Sequence, residues 1–240
     1  MKISVAMTSY NGEKYIEEQI LSIVYQMNDD DELIISDDGS SDSTLQIIAG
    51  LSETYPQIKL IDGPHKGVFK NFENAMQHCN NDIIFLSDQD DVWIEGKVEK
   101  IKDIFESHKD INVVMHRAYV LKNEERTTKL MVHYRKGFFT NLKRSCYWGC
   151  CMAMRKSYID KYLPFNAKGT AHDQLIGLLA EKDNCVYYEE TPLCYHRYHD
   201  TNQTYRKPLG KRVSFRFKML RDYLACKYSH RKGNRHVHGQ

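Results

Sequence analysis

Short apolar runs alternate along the first half of the chain with stretches whose apolar positions recur every three or four residues. "KISVAMTSY" (2–10) is strand-like and runs into polar Thr8-Ser9-Tyr10-Asn11-Gly12. "EKYIEEQILSIVYQ" (13–26) follows, with Ile16, Ile20, Ile23 and Val24 at helical spacing. "DELIISDDGS" (31–40) repeats the strand-to-polar step, and "SDSTLQIIAGLSETY" (41–55) reads as a helix capped by Ser41 or Asp42. "QIKLIDG" (57–63) is a third strand and "KNFENAMQHC" (70–79) a third helix. "DIIFL" (82–86) and "GKVEKIKDIFESH" (96–108) form a fourth pair, and "INVVMHRAYVL" (111–121) is a further strand. This alternation predicts an α/β fold with a mainly parallel central sheet and helices on both faces. Beyond Asn123 the pattern turns irregular.

In such a sheet, ligands bind outside the carboxyl ends of the strands. The clusters TSYN, DDGS and SDQDD each follow a strand directly, so they are expected to share one rim. SDQDD places Asp88, Asp90 and Asp91 together after a run with no polar break, and like charges so close repel one another. A positive partner is implied. No GxGxxG and no GxxxxGK[ST] occurs, which argues against dinucleotide and Walker-type phosphate cradles. Carboxylates holding Mg²⁺ or Mn²⁺ supply the missing counter-charge, since hard oxygen ligands suit hard cations. An EF-hand fails because Val92 and Trp93 stand where further ligands and a turn glycine are needed.

Taken in order, "VAMTSYNGEKYIEEQILSIVYQ", "LIISDDGSSDST" and "FLSDQDDVW" resemble family 2 glycosyltransferases of the GT-A fold, over roughly the first 100 residues. "SDQDDVW" is most similar to the bacterial rhamnosyltransferase-like subgroup. The resemblance implies a Rossmann-like GT-A domain over 1–205, with a nucleotide-sugar half (1–122) and an acceptor half (123–205), followed by a basic helical extension (206–240). It implies that Thr8, Tyr10 and Asp38 contact the base and ribose of a nucleotide-diphospho-sugar. Asp88 and Asp90 form a DxD pair for Mn²⁺ or Mg²⁺, Asp90 as direct ligand and Asp88 also near the ribose. Asp91 either orients that metal shell or caps the next helix.

Downstream, "GTAHDQLIGLLAEK" sets His172-Asp173 before an apolar run. Asp173 reads as a helix N-cap and, by the resemblance, as the base of an inverting transferase. "CYHRYHDTNQT" offers His196 and His199, of which His199 occupies the place of a late metal or diphosphate ligand, while lone surface histidines are commonly structural. Lys66 and Lys70 are candidates to meet the diphosphate. Trp148, in "SCYWGCCMAM", is either a stacking platform or a core aromatic. No tryptophan lies beyond Asp173, so the QxxRW-like motif of processive members is missing and a single transfer per encounter is expected.

Composition adds limits. With 240 residues, 41% of them hydrophobic, the chain can bury a real core. Its seven cysteines are odd in number and include no CxxC pair, so small buried thiols are expected rather than disulfides or a zinc knuckle. The start shows no secretory signal and no run reaches the ~18–20 apolar residues of a membrane span, making a cytoplasmic protein the expectation. The net charge of +2 conceals an asymmetry: from Arg206 onward there are eleven Lys or Arg against one acid, Asp222. Val213, Phe217, Leu220 and Leu224 share a helical face among those bases. Such a helix either lies peripherally on the anionic inner face of the cell membrane or packs on the body; no nucleic-acid motif accompanies it. A saccharide or lipid-linked saccharide acceptor in bacterial surface polysaccharide assembly fits this tail. Two rivals remain: a haloacid-dehalogenase-like phosphatase, because DQDDV satisfies DxDx[VT], and a non-catalytic nucleotide-sugar binder, which would need no Asp173.

Overall fold

The computed structural model describes residues 1–122, 124–131, 133–198 and 209–237. In chain order the elements are β1 (Ile3–Ser9), α1 (Ile16–Val24), β2 (Glu32–Asp37), α2 (Thr44–Thr54), β3 (Ile58–Asp62), α3 (Val68–His78), β4 (Ile83–Ser87), β5 (Val92–Trp93), α4 (Lys97–Ser107) and β6 (Val113–Lys122). There follow β7 (Glu125–Met131), α5 (Phe138–Lys143), a 3₁₀ turn (Gly149–Cys151), β8 (Met152–Arg155), α6 (Lys156–Ile159), α7 (His172–Lys182), β9 (Val186–Tyr198) and α8 (Leu209–Val237).

One sheet runs in the order β3-β2-β1-β4-β8-β6-β9-β5, with β7 on β6. From β3 to β4 every pairing is parallel. β1, β2 and β4 are buried along their whole lengths, as expected of strands covered on both faces. The other half is mixed: β8 runs antiparallel between β4 and β6, and β9 lies parallel to β6. Register sets the functional edge. Ser9 lies beside Asp37 and Met7 beside Ser87, so the loops after β1, β2 and β4 leave the sheet together.

The helices follow the apolar spacing, with shorter bounds than the sequence suggests. α2 begins only at Thr44, and its N-cap residue Ser43 makes no side-chain cap bond. The capping bond comes from Asp42, whose Oδ1 accepts the amide of Thr44, the first helical residue, at 3.0 Å. Ser41 is not the cap; its amide donates to Asn11 Oδ1 at 2.8 Å, tying this loop to the first. All seven cysteines are free and buried, in line with the expectation of small thiols.

α8 uses two faces differently. Met219, Asp222, Tyr223 and Cys226 are buried against the body, and Lys227 Nζ bonds Asp183 at 2.6 Å. Val213, Phe217 and Leu224 of the apolar face stay exposed, while Leu220 packs partly on the core. No described helix is long and apolar enough to cross a membrane.

Candidate active site

In the loop after β2 the two acids divide their work. Asp37 is buried and accepts from Ser9 Oγ (2.7 Å), the Ser40 amide (2.7 Å) and hydroxyl (2.6 Å), and the Gly39 amide (3.0 Å). It is the turn organiser that the DDGS sequence announces. Gly39 sits at φ +98°, in the region that favours glycine. Asp38 is half-buried at the rim, where its carboxylate accepts the amides of Gly67 (2.8 Å) and Lys66 (3.3 Å). Thr8 is buried at the end of β1, and Tyr10, 58% exposed, stands just past it.

The acidic loop after β4 is clamped on three sides. Gln89, between the two DxD acids, accepts the Tyr10 amide at 2.8 Å and donates to the Tyr10 carbonyl at 3.0 Å. Asp91 is buried, and its Oδ1 accepts from His196 Nδ1 (2.8 Å) and the Arg197 amide (3.0 Å). Arg197 Nε donates to the Asp90 carbonyl at 2.8 Å, and its guanidinium pairs with Glu18 at 2.5 Å and with Glu124. Asp90 and Asp91 do not cap the next helix, since α4 starts at Lys97 behind Gly96. Asp91 is spent on orienting the loop.

The electrostatics of this loop are those of an anionic site short of positive charge. Desolvation, then the charges of Asp91 and Asp90, push Asp88 well above the usual carboxylate range. Burial works against a charged His196, but Asp91, through charge and hydrogen bond, and then Asp88 and Asp90 raise it to about 9. His196 is thus an imidazolium at neutral pH. Even so, Asp91 Oδ2 is buried with no hydrogen-bond partner. An unsatisfied carboxylate oxygen beside crowded acids fits a hard divalent cation, which this oxygen-donor set prefers.

Across from the loop, α7 presents Asp173 in its first turn. The N-cap position belongs to Ala171, so Asp173 is not the cap that its sequence context suggests; helix begins one residue before it. Its Oδ1 accepts the Gln174 amide at 2.7 Å, and the Gly149 amide also bonds to the carboxylate. Burial outweighs these bonds and lifts Asp173 to about 6. Its charge also acts on Asp88, so the two carboxylates lie within electrostatic reach of each other. The adjacent His172 stacks on Phe72 with ring centroids 3.9 Å apart, and burial drives it down to about 3, making it a poor base.

Other sequence candidates fare differently. Lys70 Nζ is held by both oxygens of Glu73 at 2.7 and 2.8 Å, so it points to its own helix rather than to the rim. Trp148 is partly buried, edge-on to His196 with centroids 5.4 Å apart, and reads as a packing aromatic. His199 lies outside the described residues. Gln89 and Arg197 were missed by sequence reasoning, and His196 was noted there without the role it has here. Gln89 lay hidden as the middle residue of the DxD, and Asp91 and His196 are 105 residues apart, beyond any local signal.

Comparison with known proteins places this geometry. A family model described as glycosyl transferase family 2 matches residues 4–163. The dTDP-rhamnosyl transferase RfbG of Shigella flexneri is 29% identical over 231 residues, covering 90% of this chain and 77% of that protein. S. aureus TarS 1-349, solved in complex with UDP-GlcNAc, superposes with a TM-score of 0.68 at 18% identity, over 95% of this chain and 73% of that one. Glucosyl-3-phosphoglycerate synthase from Mycobacterium tuberculosis, solved with Mn²⁺, UDP and glucosyl-3-phosphoglycerate, superposes with a TM-score of 0.62 at 17% identity, over 94% and 79%.

Proposed function

The chain belongs to glycosyl transferase family 2 and is a glycosyltransferase, and from that premise we propose an inverting, non-processive transfer from a nucleotide-diphospho-sugar to an acceptor hydroxyl. The observation that carries the mechanism is a buried Asp173 whose affinity for protons is raised and whose charge reaches the acidic loop at Asp88. The family assignment gives no support to the phosphatase or the non-catalytic binder.

Residues 1–122 would take the donor, with Thr8, Tyr10 and Asp38 on its base and ribose. Residues 123–205 would take the acceptor, a saccharide or lipid-linked saccharide of bacterial surface polysaccharide assembly. Asp88 and Asp90, with His199 as the sequence-based third ligand, would hold Mn²⁺ or Mg²⁺, which when bound offsets charge on the departing nucleoside diphosphate. Gln89, His196 and Arg197 hold the loop in position for this. For Lys70 to reach the diphosphate it would have to leave Glu73.

Asp173 accepts the acceptor hydroxyl's proton on a carboxylate oxygen as the hydroxyl oxygen attacks the anomeric carbon opposite the leaving group. A base near 6 is ionised at neutral pH yet holds a proton better than an ordinary carboxylate. The amides of Gln174 and Gly149 fix its orientation. The sign of the pH dependence follows. Protonation removes the base, so kcat/KM should fall about tenfold per pH unit below about 6 and level off above it. A transfer assay with dTDP- and UDP-sugars from pH 4.5 to 8 measures this, and a profile flat through 6 would rule out Asp173 as base.

The exposed face of α8 offers Val213, Phe217 and Leu224 beside Lys218 and Arg221, the latter paired with Asp222, which suits an anionic membrane surface where lipid-linked acceptors reside. Phe217 is 70% exposed, so Phe217→Glu should leave the melting temperature unchanged. Sedimentation with phosphatidylglycerol vesicles should show about tenfold weaker binding for the variant, the scale of one lost aromatic anchor. Equal sedimentation of variant and parent would remove the membrane from the account.

A further inference from the structure

Next to His196 the interior holds a second polar cluster, which the transfer chemistry does not use. His116 on β6, Cys194 on β9 and Cys151 at the end of the 3₁₀ turn bring one donor atom each to within 4.8 Å of one another. All three residues are fully buried. His116 Nδ1 lies 2.7 Å from the Arg117 carbonyl and donates its proton there, which leaves the lone pair on Nε2. That Nε2 is buried and has no hydrogen-bond partner. A ring fixed by a backbone carbonyl through one nitrogen, with the other nitrogen bare, is the arrangement that prepares a histidine for a metal.

The sulfur spacing agrees. Cys151 Sγ lies 4.0 Å from Cys194 Sγ and 3.8 Å from Cys150 Sγ. Tetrahedral ligation with metal–sulfur bonds of about 2.3 Å sets sulfurs about 3.8 Å apart. Thiolate and imidazole donors select zinc and related soft ions over Mg²⁺ or Mn²⁺. The charge also closes. Three thiolates, one neutral imidazole and a divalent ion sum to one negative charge, and the fully buried Lys97 supplies one positive charge. Its Nζ donates to the Cys150 carbonyl at 3.0 Å and sits 4.0 Å from the Trp93 ring centroid.

We propose that His116, Cys151 and Cys194, with Cys150 as the fourth ligand, form a zinc-class transition-metal site separate from the carboxylate site. Each ligating thiol releases its proton to solvent as the metal binds. Cys150 Sγ, now 3.7 Å from His196 Nδ1 and grouped with Asp91, would keep its spacing to Cys151 and turn toward His116 and Cys194 in doing so. The ion would join β6 and β9 to the turn whose Gly149 amide holds Asp173, bracing the cleft from behind. The site stands independently of the transfer reading.

The test uses the full chain purified under reducing conditions, without added metal and after exchange with Co²⁺. Metal analysis should find about one zinc per chain, and the cobalt form should show thiolate-to-metal charge-transfer absorption. Both should persist in excess Mn²⁺ and in Asp90→Ala, and Cys194→Ser should bind at least about tenfold more weakly. Wild-type protein that binds neither ion, or a cobalt form without thiolate absorption, overturns the proposal even if Cys194→Ser does not fold. Displacement of the zinc by Mn²⁺ overturns it too.

Discussion

Asp173→Asn lowers sugar transfer by about 10² or more, the scale of general-base catalysis, while nucleotide binding and melting temperature stay near those of the parent. The asymmetry follows from what the carboxylate does in the fold. Its Oδ1 accepts the Gln174 amide at 2.7 Å, a bond that the Asn carbonyl oxygen can also accept. Only proton uptake is lost. Because burial already penalises the charged form, the neutral amide should cost the fold nothing and could add slight stability at neutral pH. Transfer at the parental rate would reduce Asp173 to an anchor of the α7 terminus. Asp91 would not be an obvious replacement, since one of its oxygens is committed to His196 and Arg197.

Asp90→Ala removes most of the metal-dependent stabilisation by nucleotide. In the parent, Mn²⁺ with a nucleoside diphosphate at about 100 times its Kd should raise the melting temperature by roughly 5–10 °C. The variant should keep little of that rise and still fold. Its loop is held by the Asp90 carbonyl on Arg197, by Gln89 on the Tyr10 backbone and by Asp91 on His196, none of which needs the Asp90 side chain. The substitution also removes one of the charges crowding Asp88. An unchanged metal-dependent rise would show that the ion, if present, sits elsewhere.

The first half of the fold was legible because its strands are unbroken apolar runs, each ending in a polar cluster, with period-3.6 helices between them. β1, β2 and β4 and the rim they share follow directly. Beyond Asn123 local pattern says less. β8 has four residues inside a Cys- and Met-rich stretch, and β9 carries Pro192 and shifts register against β6, so neither shows a clean period. For the proposed site, motif and position nominate Asp88, Asp90 and Asp173 as candidates. Local sequence could not show that Asp91 is occupied by His196, that Lys70 is tied to Glu73, or that Asp173 lies inside its helix instead of capping it. Each depends on which distant element lies opposite, and for Asp91 that element is 105 residues away.

The most direct test of the central claim, that these carboxylates form a cation-dependent nucleotide-sugar site, is calorimetric titration of the parent protein. UDP, dTDP and their sugar conjugates would be titrated in Mn²⁺ and again in excess chelator. The account predicts saturable binding of at least one nucleotide at one site per chain in Mn²⁺, and its loss in chelator. Equal affinity in both buffers, or no binding of any nucleotide in either, would contradict it.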